Sequence, residues 1–372
     1  MQLDGAQVLA WRLRRHALLP AAAGSAVEVA QRVLAMRGWP LEGAELAVGV
    51  RLADPRPGTV EAALEARELV RSYAWRGGSY VMTHATAAVA LAVRRTSRVW
   101  ESARFQKQGR FALEDWEPWR AAVREALAAG PATRAEIWEQ VRRDPALRQL
   151  EQGASGVGSD TLYKPLHWWG DICFGPDRDG ASTFRLLDEP AWDGTGEPKE
   201  RGPQAVLDHL AAYGPSTEAN LRYWLTEGLS APWNRVEEWV GRLGDQVVRV
   251  ELDGEQALAR ALDLEDMLSA PADDESLALV PAFDPWVNGP GTAEERIVPP
   301  ARRALVSRGS SLVLRAGVVV GTWKVRAKRL EVELFAEAFG GALPSHVPGL
   351  EEATRRVAAV LGKELEPSLA TA

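Results

Sequence analysis

Two stretches of this chain repeat each other. Ala129-Gly130-Pro131-Ala132-Thr133 and Tyr213-Gly214-Pro215-Ser216-Thr217 each separate two helix-like runs, and their Gly-Pro pairs lie 84 residues apart. A glycine past a helix C-cap can take the left-handed conformation that ends the helix. The proline then blocks continuation, and the Thr or Ser that follows can cap the next helix. A tight turn between two helices, used twice, restricts the fold to helical hairpins, with helix–turn–helix as the obvious candidate.

Reading outward from these turns, the pattern recurs. Asp4 can cap a helix through Arg15, and Ser25 a second helix through about Arg37, which Gly38-Trp39-Pro40 should stop. Further helices fit 44–52 and 59–69. The period then changes to two over Val70–Trp75 and Ser79–Met82, which predicts a hairpin turning at Arg76-Gly77-Gly78. Helices followed by a hairpin have the layout of a winged helix–turn–helix. After a helical stretch 85–105, helix 115–129 leads to the first Gly-Pro turn. Helices 134–143 and 160–169 and a hairpin over 172–187 follow. A Pro/Gly-rich linker spans 188–202. Helix 203–213, the second Gly-Pro turn, helices 217–226 and 232–242 and a hairpin turning at Asp253-Gly254 complete a third unit near residue 262. Beyond it, short strands are expected at 277–283, 304–306, 311–315, 318–324 and 330–335, then a helix at 348–361.

The fold class expected is therefore α+β. Three tandem winged helix-turn-helix units, at 1–110, 111–190 and 200–262, precede a C-terminal antiparallel β-barrel-like domain at 263–372.

The formal net charge of −7 argues against a polyanionic partner, but its distribution argues for one. Residues 1–110 hold 16 Lys/Arg against 9 Asp/Glu. Residues 296–330 hold nine basic residues and no acid, while residues 251–275 hold nine acids around Arg260. Association responds to the local field and not to the total charge, so segregation of this kind suits phosphates; two solvated faces would give the same counts. Candidate DNA contacts are Arg71 and Arg76 on the first hairpin, Lys164 and Arg235 near helix starts, and Lys324 and Arg326 in the basic run.

Other chemistries find little support. Cys173 is the single cysteine and the five histidines lack ligand spacing, so neither a metal nor a cofactor is expected. The absence of disulfides, of a leader-like start and of any apolar run of about 18–20 residues favours a cytoplasmic setting. The glycine-rich stretch 153–158 has no preceding strand and no following Gly-Lys-Ser/Thr, and reads as a plain loop. Asp284, before a proline, reads as a turn former ahead of an acid or base, and His167 as a core residue ahead of a DNA contact.

Five segments carry a resemblance. Val70-Arg71-Ser72-Tyr73-Ala74-Trp75-Arg76-Gly77 comes first, followed by Leu162–His167 with Gly170–Gly175, then Ala212–Thr217. Val280-Pro281-Ala282-Phe283-Asp284-Pro285 and Val320-Gly321-Thr322-Trp323 complete the series. In this order they resemble the winged-helix DNA-binding family that includes the AlkZ/YcaQ DNA glycosylases. The resemblance implies three tandem winged helices plus a β-barrel, and as partner double-stranded DNA, which active members clear of bulky N-alkylated purines and crosslinks. We expect a monomer.

Active members of that family carry Gln-x-Gln or Gln-x-Asp at the end of a helix in the first unit. The corresponding stretch here is Leu34-Ala35-Met36-Arg37-Gly38-Trp39-Pro40, which puts Arg37 and Trp39 at the catalytic positions. Cleavage of an N-glycosidic bond develops positive charge on the sugar and needs a positioned water. A guanidinium ~5 Å away would oppose that charge by roughly 3 kcal/mol at an effective dielectric near 20, about a hundredfold in rate. Tryptophan can stack but cannot accept a proton from water. Two expectations lead, a glycosylase whose catalytic group lies elsewhere or a non-catalytic DNA-binding protein on the same scaffold; a third, weaker one is a protein-interaction scaffold, favoured if the basic faces are scattered.

Overall fold

The computed structural model describes residues 1–155, 160–228, 230–271, 277–344 and 346–369. It divides into two compact units, each assembled from stretches distant in sequence. One comprises Met1–Ala63, Val206–Trp224 and Val240–Ala372; the other comprises Leu64–Ala205 and Leu225–Trp239. The fold is mixed α+β.

Both Gly-Pro turns do more than separate helices. After the first, Ala132–Thr133 is a short strand paired antiparallel with Thr183–Leu186, which pairs in turn with Ile172–Phe174. After the second, Ser216–Thr217 pairs with Glu255–Arg260, the second strand of the hairpin that begins at Val247–Leu252. Each turn thus contributes an edge strand to the hairpin that follows it in sequence. Gln2–Leu3 adds a parallel strand on the far side of Val247–Leu252.

The capping expected at each turn is present. Thr133 and Glu136 form a reciprocal capping box at helix Arg134–Val141. Thr217 and Asn220 make the equivalent exchange at helix Glu218–Leu225, at 2.9 and 3.3 Å. The two glycines differ. Gly130 has φ +132°, a conformation that side chains disfavour. Gly214 is not left-handed, contrary to the C-cap expectation; its constraint is steric, because a Cβ there would lie 2.4 Å from the Leu210 carbonyl oxygen.

The C-terminal part is an open five-stranded sheet. Its order is Leu277–Val280, Ser311–Arg315, Val318–Arg326, Arg329–Leu334 and Glu366–Leu369. The expected antiparallel β-barrel-like domain is borne out in its first four strands, which pair antiparallel, and differs at its edges. The final strand joins parallel to Arg329–Leu334, and the two edge strands do not pair with each other among the described residues. Residues 304–306, read as a strand, lie in helix Arg303–Ser307, because only Val306 of that apolar trio is buried. The sheet packs on helix Leu350–Leu361 through Leu350, Ala353, Val357 and Val360. Trp286, Trp323 and Ile297 lie in the same core.

Two helices expected to be long are shorter. Residues 85–105 break into helix His84–Arg95 and helix Ala103–Gly109, with Arg98 left-handed between them. The helix capped by Ser25 ends at Val33 and not at Arg37. Leu34 takes φ +62°, and Met36–Arg37 is extended. Met36, fully buried, fixes that extended segment. Of the glycine-rich stretch, residues 153–155 belong to helix Glu151–Ser155, and 156–158 lie outside the described residues.

Candidate nucleic-acid interface

The segment around Arg37 is held from below by the second Gly-Pro turn. The Tyr213 hydroxyl donates to the carbonyl of Val33, the last residue of the helix that precedes Arg37. Tyr213 is itself fixed by helix Gly5–Arg15. Arg12 Nη2 donates to the Tyr213 carbonyl at 2.6 Å, and Arg15 Nε to the Ala211 carbonyl at 3.1 Å. His16 Nε2 donates to the Ala212 carbonyl at 2.8 Å. These donors meet the orphan carbonyls at a helix C-terminus, where cations are also favoured by the peptide dipoles. Burial lowers the Arg12 guanidinium to about 10 and holds His16 well below its ordinary value, so Arg12 is charged and His16 neutral.

The second support is Phe283-Asp284. Asp284 receives Arg51 Nη1 at 2.9 Å and Nη2 at 2.6 Å, with both side chains fully buried. It also accepts from Trp286 N at 2.8 Å, capping helix Pro285–Asn288. The turn-forming role read for Asp284 is what the structure shows. Arg51 was not legible as its partner, since 233 residues separate them. Next to this anchor Phe283 takes φ +57° and leaves its side chain 43% exposed. Its ring lies against Gly309, where a Cβ would come within 2.6 Å of the ring. The Arg37 guanidinium carbon sits 5.8 Å from the Phe283 ring centroid.

Trp39, two residues on from Arg37, is 59% exposed. Exposed Arg303 and Arg308 lie at and beyond the helix that leads to Gly309. Phe283 and Arg37 bring a solvent-facing aromatic ring and a guanidinium together, the chemistry that holds bases and phosphates. Asp284 is committed to Arg51, and in the other unit the Cys173 thiol is pushed up to about 12 by burial.

The residues expected to meet DNA have varied settings. Lys324 and Arg326 project from the end of the Val318–Arg326/Arg329–Leu334 hairpin. Both are exposed, each 3.5 Å from Glu331, with exposed Lys328 and Arg329 beside them. Arg235 is exposed and paired with Glu238 at 2.8 Å, one turn along its helix. Lys164 is half-buried over the Tyr73 ring, at 4.9 Å, and burial lowers its pKa. Arg76, at the tip of its hairpin, takes φ +53°, and its backbone packs against Gly228. Arg71 is buried, donates to Asp177 at 2.6 Å and to the Gly175 carbonyl at 3.2 Å, and lies over Phe174. His167 is in the core as read, donating to or accepting from Ser72 Oγ at 2.9 Å, and burial lowers it to about 3. Among the described residues no group of three or more His, Cys, Asp or Glu is placed to hold a metal ion, and no helix is long and apolar enough to cross a membrane.

Phe283, Arg303 and Arg308 were missed as site residues. Their signal was weak: Phe283 sits in a motif noticed for its aspartate, and the arginines were absorbed into a run of basic residues.

The chain is 29% identical over 349 residues to an interstrand DNA cross-link repair glycosylase of Streptomyces sahachiroi, covering 91% of this chain and 92% of that protein. The solved structure of Streptomyces sahachiroi DNA glycosylase AlkZ is similar with a TM-score of 0.91 at 26% identity, over the full length of both chains. The family described as "DNA glycosylase AlkZ-like" matches residues 30–360, and the chain belongs to that family.

Proposed function

We propose that this protein binds double-stranded DNA and recognises alkylated or distorted sites without cleaving the N-glycosidic bond itself. In this reading it acts as a cytoplasmic monomer. Three winged-helix units, at 1–110, 111–190 and 200–262, and the sheet domain at 263–372 present the basic residues to the duplex. Lys324 and Arg326 at an exposed hairpin end, and Arg235 on a helix surface, are the best placed of the expected contacts. Arg71 is not, being committed to Asp177.

One feature of the sequence carries the reading: Arg37 and Trp39 lie in the stretch where the family resemblance implies a carboxamide and a carboxamide or carboxylate. Arg37 is stacked on Phe283 and Trp39 is open to solvent. Neither can accept a proton from water, and a fixed positive charge opposes the oxocarbenium character of the transition state. A second reading, excision by a group elsewhere, is favoured by the family match along most of the chain.

The test is a mobility shift on a duplex carrying one N7-alkylated guanine, followed by hot alkali. The proposal expects affinity that falls steeply with salt and no strand breaks above the protein-free control. Salt-insensitive or absent binding would remove the DNA-binding claim, and alkali-labile breaks would establish excision.

A further inference from the structure

The chain carries six lysines among its 44 basic residues, so its positive charge comes mostly from arginine. Lys107, Lys199, Lys324, Lys328 and Lys363 are exposed, whereas Lys164 is half-buried. The Lys164 ammonium lies 4.9 Å over the Tyr73 ring, and among the described residues no carboxylate pairs with it. The Lys164 backbone N–H donates to the Asp160 carbonyl at 2.7 Å. The Asp160 carboxylate turns elsewhere: it pairs with Arg134 and accepts the Tyr73 hydroxyl.

The charge around Lys164 is positive instead. Burial lowers its pKa, and the guanidinium groups of Arg94 and Arg134 lower it further. Arg94 is fixed over the Trp168 ring at 4.5 Å and donates to Ser230 Oγ at 3.0 Å. Lys164 itself stands on a rigid base. Pro165 follows it at the start of helix Lys164–Trp168, and His167 Nδ1 meets Ser72 Oγ at 2.9 Å. A lysine that only carries charge is served by water or a carboxylate. One that is desolvated beside other cations keeps more of its amine neutral, which is how lysine becomes a nucleophile.

We propose that Lys164 is a nucleophile toward an aldehyde, namely the ring-opened deoxyribose of an abasic site in DNA. This rests on the reading that the protein binds duplex DNA, and adds a covalent step to it. The neutral Nζ adds to C1′ of the sugar. Both amine hydrogens leave with the carbonyl oxygen as water, and an imine joins Nζ to C1′. The step breaks no strand, needs no further reactant and is reversed by water. Arg134, with its side chain 31% exposed, offers a guanidinium to a phosphate beside the sugar. Spontaneous loss of an alkylated purine supplies the aldehyde.

The experiment uses the full chain and two duplexes, one with an abasic site and one with its tetrahydrofuran analogue, which has no aldehyde. Sodium borohydride, which reduces an imine to a stable secondary amine, is added to each mixture. The wild type should form a covalent adduct with the abasic duplex and none with the analogue. Mass spectrometry of the digested adduct should place the sugar on Lys164. Lys164→Arg should lose the adduct even at concentrations where it binds the analogue, because arginine keeps the charge without the nucleophile. Binding of the abasic duplex without an adduct, or an adduct on another amine, would overturn the imine site while leaving DNA binding intact. No affinity for either duplex would defeat both proposals.

Discussion

Arg51 and Asp284 form a two-pronged ion pair, at 2.9 and 2.6 Å, with both side chains fully buried. Arg51 follows helix Leu41–Gly49, and Asp284 starts helix Pro285–Asn288, so the pair ties the segment after Trp39 to the segment that presents Phe283. Removing one partner leaves a buried charge with no counter-ion. Asp284→Asn or Arg51→Met should therefore cost about 3–5 kcal/mol, whereas Arg51→Met with Asp284→Leu should cost less than either alone. Denaturant unfolding of the three variants checks the order; a double variant worse than both singles would show that the pair does not act as a unit.

Tyr213→Phe removes the donor to the Val33 carbonyl and should destabilise by about 1–3 kcal/mol, the cost of a buried acceptor left unsatisfied. Thr217→Ala, which deletes a helix cap, should cost about 1 kcal/mol. Thermal unfolding reads both, and an unchanged midpoint in Tyr213→Phe would mean that the turn does not support the Arg37 segment.

Acid should destabilise the protein well before its carboxylates titrate. Burial lowers His167 and His209 to about 3 in the folded chain, against about 6.5 when unfolded. The unfolded state therefore takes up protons that the folded state refuses. The stability tied to these groups is fully present above pH 6.5 and is lost as pH falls from 6.5 toward 3. The slope is up to about 1.4 kcal/mol per pH unit for each histidine. Unfolding free energy measured between pH 7 and pH 5 should fall, and His209→Gln should flatten the fall; a flat profile in the parent protein would contradict the assignment.

Lys324→Glu and Arg326→Glu should weaken duplex binding uniformly across sequences. The corresponding substitutions to glutamine should each lower the slope of log affinity against log salt by about 0.9. Arg71→Gln should instead lower stability, because its guanidinium is buried against Asp177 and the Gly175 carbonyl. Slopes unchanged in the Lys324 and Arg326 variants would place the DNA elsewhere.

Local features of the fold were legible because local chemistry dictates them. The Gly-Pro turns, their Thr caps and the period-two hairpins all appear near the expected positions. What the sequence could not show is long-range. Ser216–Thr217 joins a hairpin some 40 residues later, and Arg51 finds Asp284 across 233 residues. The strand expected at 304–306 failed because an apolar trio carries no period, and the surrounding arginines suited an exposed helix equally well. The site was half legible. Arg37 and Trp39 could be named from the pattern around them, but the Phe283 ring beneath Arg37 depends on a positive φ that composition does not reveal.

The most direct measurement is single-turnover excision, with protein in excess over a duplex bearing one N7-methylguanine and with breaks developed by alkali. The account predicts a first-order rate indistinguishable from spontaneous depurination, alongside binding that falls with salt. Arg37→Gln with Trp39→Gln should raise that rate. A parent rate tenfold or more above the protein-free control would contradict the claim that this member of the family recognises DNA without cutting it.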